Sequence, residues 1–248
     1  MGIAGYVVFI FSLSLRLLLL GRCLKKGQWR SYPFFFSYVV YTFLYEIILF
    51  ALLLLRYGAY AQLFWLCYMA DTVFWFAIAW EVFRQTFPQG SPLRRITSGI
   101  LVSVLSLLAL AFYWSGPQPG DYFIADFVRK IALSIGFWLF VVLGLARYYK
   151  VPVGRNVWGM AVGLLAFVSS QVANFAAVEV SSRFEPVWSL LEPIVFSLTL
   201  LIWTITLWSY APNPKPVAAE ERVQREAFSL WEQRWAALGT TIRKALKP

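Results

Sequence analysis

PFFFSYVVYTFLYEIILFALLLL at residues 33–55 and YAQLFWLCYMADTVFWFAIAWEVF at residues 60–83 are separated only by RYGA at residues 56–59. A helix rises about 1.5 Å per residue, so either run is long enough to cross a hydrocarbon layer about 30 Å thick. Neither run alternates apolar with polar residues, and each is about twice as long as a barrel strand. The pair therefore reads as two antiparallel transmembrane helices joined by a tight loop.

Working outward, the same pattern recurs at Ile3 to Leu20, Ile96 to Trp114, Asp126 to Ala146, Val157 to Val180 and Trp188 to Tyr210. Turn formers and charge mark the connectors, as in Gly27 to Arg30, Pro88 to Arg95, Ser115 to Asp121 and Val151 to Arg155. The predicted fold is all-α and polytopic, a seven-transmembrane-helix bundle over residues 1–212. A cytoplasmic C-terminal amphipathic helix is expected within 213–248. The first run has no basic leader and no small-residue cleavage site, so it reads as a retained helix.

Composition agrees. Hydrophobic residues make up 60% of the chain and charged residues 14%, against about a quarter charged in soluble domains. That is too little charge to clothe a water-facing surface of this size. The net charge of +10 does not indicate nucleic-acid binding, because the basic residues sit in connectors and the tail, away from any shared reading face.

Orientation follows from those basic residues. The first connector carries Arg22, Lys25, Lys26 and Arg30, the third Arg84, Arg94 and Arg95, and the fifth Arg147, Lys150 and Arg155, whereas the even connectors hold only Arg56 and Arg183. Cationic loops stay on the side of synthesis, which predicts the N-terminus outside and the C-terminus in the cytoplasm. No Asn-x-Ser/Thr sequon occurs, which is compatible with the expected location, a bacterial inner membrane. Aromatic residues at the expected boundaries, among them Trp29, Tyr32, Tyr60, Tyr148, Trp158, Trp208 and Tyr210, suit the headgroup layer.

In the tail, Val223, Ala227, Trp231, Trp235, Leu238, Ile242 and Leu246 recur at steps of three or four. Trp231 and Trp235 on that stripe, with Arg243 and Lys244 near its end, point to a helix lying on anionic lipid. Docking of that face on the bundle or on a protein partner is the alternative. Gly159 and Gly163, continued by Ala166 and Ser170, form a small-residue step on the sixth span that reads as close packing within the bundle, with a homo-oligomer as its alternative use.

Ionisable residues at bilayer depth cost about 2.5–3.5 kcal/mol on insertion scales, so each is a functional candidate. Glu46 and Asp71 fall near the midplane of neighbouring spans, where their carboxyls can approach each other. Tyr38, Thr42 and Tyr45 share the face of Glu46. Ser170, Gln171 and Asn174 form a second polar strip, on the sixth span. An outer layer is expected from Asp126, Arg129, Lys130, Glu179 and Glu192, with a bend in the last span at Pro193, which cannot donate to the preceding turn. The competing reading is interhelical glue, with Glu46 or Asp71 paired to Arg16.

The chain has no histidine, which removes Ser-His, Cys-His and His-metal chemistry and histidine-ligated haem. No phosphate loop, kinase signature or paired CxxC is present, and neither cofactor nor metal is expected. The outline is similar in topology alone to microbial rhodopsins and G-protein-coupled receptors, but Trp188 to Tyr210 holds no lysine for a retinal. It also resembles bacterial seven-helix sensor regions, without an output domain. Spans one to three and five to seven run in the same directions, and Arg22-x-x-Lys25 echoes Arg147-x-x-Lys150, though a single echo does not establish a repeat.

The functional expectation is a non-enzymatic, small-ligand-binding or sensory seven-helix protein. A proton- or cation-coupled carrier using Glu46 and Asp71 is one alternative, and a structural subunit of a membrane complex is another. A lipid-modifying enzyme working through carboxylates alone is the remote exception.

Overall fold

The computed structural model describes residues 3–55, 58, 60–87, 92–115, 120–180, 185–211 and 214, and in the tail 226, 229, 230, 233 and 237. Among these residues there are eight helices and no strand: α1 Ile3–Lys25, α2 Gln28–Ser31, α3 Pro33–Leu54, α4 Tyr60–Thr86, α5 Pro92–Ser115, α6 Gly120–Tyr148, α7 Arg155–Val180 and α8 Glu185–Thr206. Six contain stretches long and apolar enough to cross a bilayer: Gly5–Lys25, Pro33–Leu54, Tyr60–Thr86, Leu93–Ala111, Asp126–Tyr148 and Arg155–Ala177. The last expected span falls on α8, 22 residues long, in which the described apolar stretch is Leu191–Thr206. The predicted tail stripe, including Trp231, Trp235, Arg243 and Lys244, lies outside the described residues.

Local chemistry sets the helix ends. Pro33 opens α3 and Pro92 opens α5, positions where the missing N–H has no intrahelical partner to lose. Gly27 takes φ 67° between α1 and the one-turn α2, a left-handed turn open to glycine without strain. The end of α6 is built the same way from a less suitable residue. Lys150 adopts φ 52°, with Val151 N–H donating to the Ala146 carbonyl at 2.8 Å and Lys150 N–H to that of Arg147 at 3.3 Å. Those two bonds are the Schellman pattern, with lysine where glycine is usual.

Helices α1, α3, α4, α7 and α8 close into a ring, each packed on the next, and α8 returns to α1. Helix α6 packs on α4 and α7, and α5 leans on α6 outside the ring. Exchanging α1 with α6, α3 with α7 and α4 with α8 turns the pairings α1·α3, α3·α4 and α1·α8 into α6·α7, α7·α8 and α6·α4, all of which are present.

The small-residue step on α7 faces α8. A methyl group at Gly159 would collide with Thr206, and one at Gly163 with the Trp203 indole, which donates to the Met160 carbonyl at 3.3 Å. These glycines thus serve packing inside the bundle. Trp75, Trp138, Trp203, Ile78 and Met160 are buried, while Ile10, Leu54, Leu66, Leu107, Phe140 and Ile205 are exposed. Apolar side chains on every outward face are a liability in water and the expected surface in lipid.

At the end where α1, α4, α6 and α8 finish, polar side chains close the helix termini. Glu81, buried on α4, accepts the Phe34 and Phe35 N–H groups of α3 at 3.3 and 2.9 Å, placing a carboxylate at the positive end of that helix. Gln28 donates to the Leu207 carbonyl at 2.9 Å, and the Arg22 guanidinium stacks 3.7 Å from the Trp208 ring. Burial first, then Tyr210 and Glu81 nearby, holds the Tyr32 phenol above its ordinary range.

Candidate functional site

Five helices bring polar side chains to the middle of the ring. From α1 comes Arg16, 2% exposed, which ion-pairs with Glu46 of α3 and donates to Ser12 at 2.8 Å. Its guanidinium lies 4.9 Å from the Phe196 ring of α8, and its Nε has no partner. The pairing anticipated for Arg16 therefore falls to Glu46, and Glu46 is committed to a cation on the neighbouring helix.

Asp71 of α4 is left in a different state. It is 4% exposed, lies in the field of Arg16 and Glu192 with Tyr45 beside it, and its Oδ1 accepts no hydrogen bond. The i−3 and i+4 positions on its own helix are Tyr68 and Trp75, which share its face. Trp75 donates to the Tyr38 hydroxyl at 3.3 Å. Thr42 is buried but spends its hydroxyl on the Val39 carbonyl of its own helix at 3.2 Å, so it offers no free donor to Glu46.

Glu192, expected in the outer layer, is hydrogen-bonded to the strip on α7. Its Oε1 accepts from Gln171 Nε2 at 3.0 Å, while Tyr68 Oη donates to Gln171 Oε1 at 2.7 Å and lies 3.4 Å from Glu192 Oε1. Three helices, α4, α7 and α8, are thereby joined through one amide. Asn174, one turn further along α7, has a buried Oδ1 without a partner. Ser170 bonds back to the Phe167 carbonyl at 2.7 Å. Helix α8 continues through Pro193, whose carbonyl accepts from Ser197 at 2.8 Å.

The other outer-layer residues are placed differently. Asp126 pairs along α6 with Arg129 at 3.1 Å and Lys130 at 2.5 Å, one helical turn away. The Glu179 side chain lies outside the described residues.

Two polar residues at the centre and end of α4 escaped the sequence reading. Tyr68 was findable, because it sits three residues before Asp71 on one helical face. Glu81 had a weaker signal, a carboxylate inside the end of an apolar run. Ring contacts line the centre in series: Tyr68 to Trp75 at 6.3 Å, Trp75 to Phe167 at 5.4 Å and Phe167 to Phe196 at 5.0 Å. Among the described residues no three His, Cys, Asp or Glu side chains gather as metal ligands would.

An all-helical chain with six long apolar helices, apolar outward faces and a charged interior is compatible with a multi-pass membrane protein. Beyond that class no kinship is available, since no protein-family model, curated protein or solved structure matches the chain.

Proposed function

We propose that this chain is a non-enzymatic membrane protein of seven spans that binds a small ligand at the centre of its bundle, among Asp71, Gln171, Glu192 and Tyr68. In this reading α8 is the seventh span, the N-terminus is outside, and the tail helix lies on the inner leaflet of a bacterial inner membrane. One observation carries it: Asp71 is buried with an unpartnered oxygen, beside a hydrogen-bonded amide and carboxyl drawn from two other helices. Arg16 and Glu46 meet charge with charge, whereas Asp71 Oδ1 is left without a donor, and an acceptor left open inside a bundle is a place for something to bind.

The test is a thermal-shift screen of small amphipathic compounds on the purified protein in lipid nanodiscs. Compounds that stabilise the wild type should lose that effect in Asp71→Asn and Glu192→Gln, while the unliganded variants still melt cooperatively. Stabilisers indifferent to both substitutions would remove the proposal.

A second reading rests on charge. Arg16 is matched to Glu46, and Asp71 lies in the field of both Arg16 and Glu192, so the excess of carboxyls falls on Asp71 and Glu192. Carboxylates at that depth are costly unless a proton or cation neutralises them, which is the design of a coupled carrier. The exchanging group is then Asp71, with Glu46 fixed in place. Proteoliposome flux that survives Asp71→Asn and ignores an imposed proton gradient would exclude it.

A further inference from the structure

We infer that the ligand of the central site is a small organic ammonium. This rests on the reading of Asp71 and its neighbours as a binding site and adds the chemical class of what binds there.

Open hydrogen-bonding capacity at the centre is mostly acceptor. Asp71 Oδ1 and Asn174 Oδ1 have no donor, and Glu192 receives its short amide bond on one oxygen only. Among the described residues the cation acting on Asp71 is Arg16, and its Nη1 is given to Glu46 and Ser12. An anion would have to compete with Glu46 for the guanidinium while facing the Asp71 carboxyl, which lies in the field of Arg16 and Glu192. The complementary ligand donates N–H groups and carries positive charge, so that both carboxylates gain charge-assisted bonds.

The walls favour an organic cation over a metal ion. A metal at this depth needs several oxygen ligands to replace its water, and no three carboxylates or thiols converge among the described residues. Aromatic rings do converge. Tyr68 and Trp75 flank Asp71 on its own helix, Phe167 and Phe196 continue the series from α7 and α8, and Tyr41 stacks on Phe74 at 4.6 Å on the side toward α3. Ring faces attract ammonium groups once water is excluded, and their apolar bulk covers the carbon skeleton of the ligand.

The experiment uses the full chain in lipid nanodiscs, titrated with methylammonium, benzylammonium and choline, with the neutral benzyl alcohol, the anionic benzoate and potassium chloride alongside. At least one ammonium should raise the melting temperature saturably. Asp71→Asn and Glu192→Gln should each weaken its apparent affinity about tenfold or more, the size expected on losing a charge-assisted bond. Cooperative melting of the unliganded variants, followed by tryptophan fluorescence, shows that the bundle is intact. Saturable stabilisation by benzyl alcohol or benzoate, lost in Asp71→Asn, would overturn the ammonium and keep the site. Stabilisation by potassium alone would replace it with a metal ion. No saturable response to any probe would overturn the site and the ligand together.

Discussion

Arg16 shows how a single residue decides which of its neighbours are free. A guanidinium 2% exposed in an apolar bundle is tolerable only if a carboxylate meets it, and Glu46 does so from α3. Removing either partner leaves the other uncompensated. Arg16→Leu should cost about 3 kcal/mol of unfolding free energy, near the low end for a broken buried pair because Glu46 keeps 21% exposure. Adding Glu46→Leu should recover most of the loss, since paired charges often contribute little over a packed apolar pair. Denaturant titration in mixed micelles measures both, and strictly additive costs would contradict direct pairing. Counting residues sets Glu46 and Asp71 in the middle of their apolar runs, and Arg16 was legible as a partner for one or the other. Which of the two it pairs with was not. Glu192 read as an outer residue because it lies close to the start of its apolar run, yet it bonds Gln171 and approaches Tyr68. Hydropathy locates a residue along its own helix, whereas the axial offset between helices comes from packing, which no single run reports.

At the scale of elements, the long helices could be read directly and the joints could not. Helix α2 is one turn long, too short to show any period, and its Gln28 acts on the far end of α8. The glycine step on α7 was legible as close packing, and the structure supplies its partner, Trp203 and Thr206 of α8. Gly163→Ala should therefore destabilise the bundle by about 1–3 kcal/mol through overpacking. The loss should appear in denaturant titration and as a shift in tryptophan emission, with no change in oligomeric state. A change in oligomeric state alone, with stability intact, would place the step on an outer surface instead. The end of α6 offers the opposite case. Lys150 is held left-handed at a cost of roughly 1–2 kcal/mol, and glycine there would lose about 0.4–1 kcal/mol to its freer unfolded chain. Lys150→Gly is expected to stabilise the protein by about 0.5–1 kcal/mol, as the smaller term is subtracted from the larger.

For the whole molecule, the pairings of α1, α3 and α4 repeat among α6, α7 and α8, with α5 as the connector outside the ring. The echo of Arg22-x-x-Lys25 in Arg147-x-x-Lys150 was too thin to carry that relation, because packing order depends on helix faces more than on a loop motif. The central site takes Asp71 and Tyr68 from the first half and Gln171 and Glu192 from the second, so motion of one half against the other would open it. Such an arrangement requires α8, 22 residues long, to cross the membrane as α4 does. Parity decides this. With seven spans Gly58 and the tail lie on opposite sides, and with α8 lying short of a crossing they share one. In a background with Cys23→Ser and Cys67→Ser, an impermeant thiol reagent applied to intact cells should label Gly58→Cys and spare Ser229→Cys until the cells are opened. Equal labelling of both positions in intact cells would remove the seventh span, and with it the two-halved account of how the centre is reached.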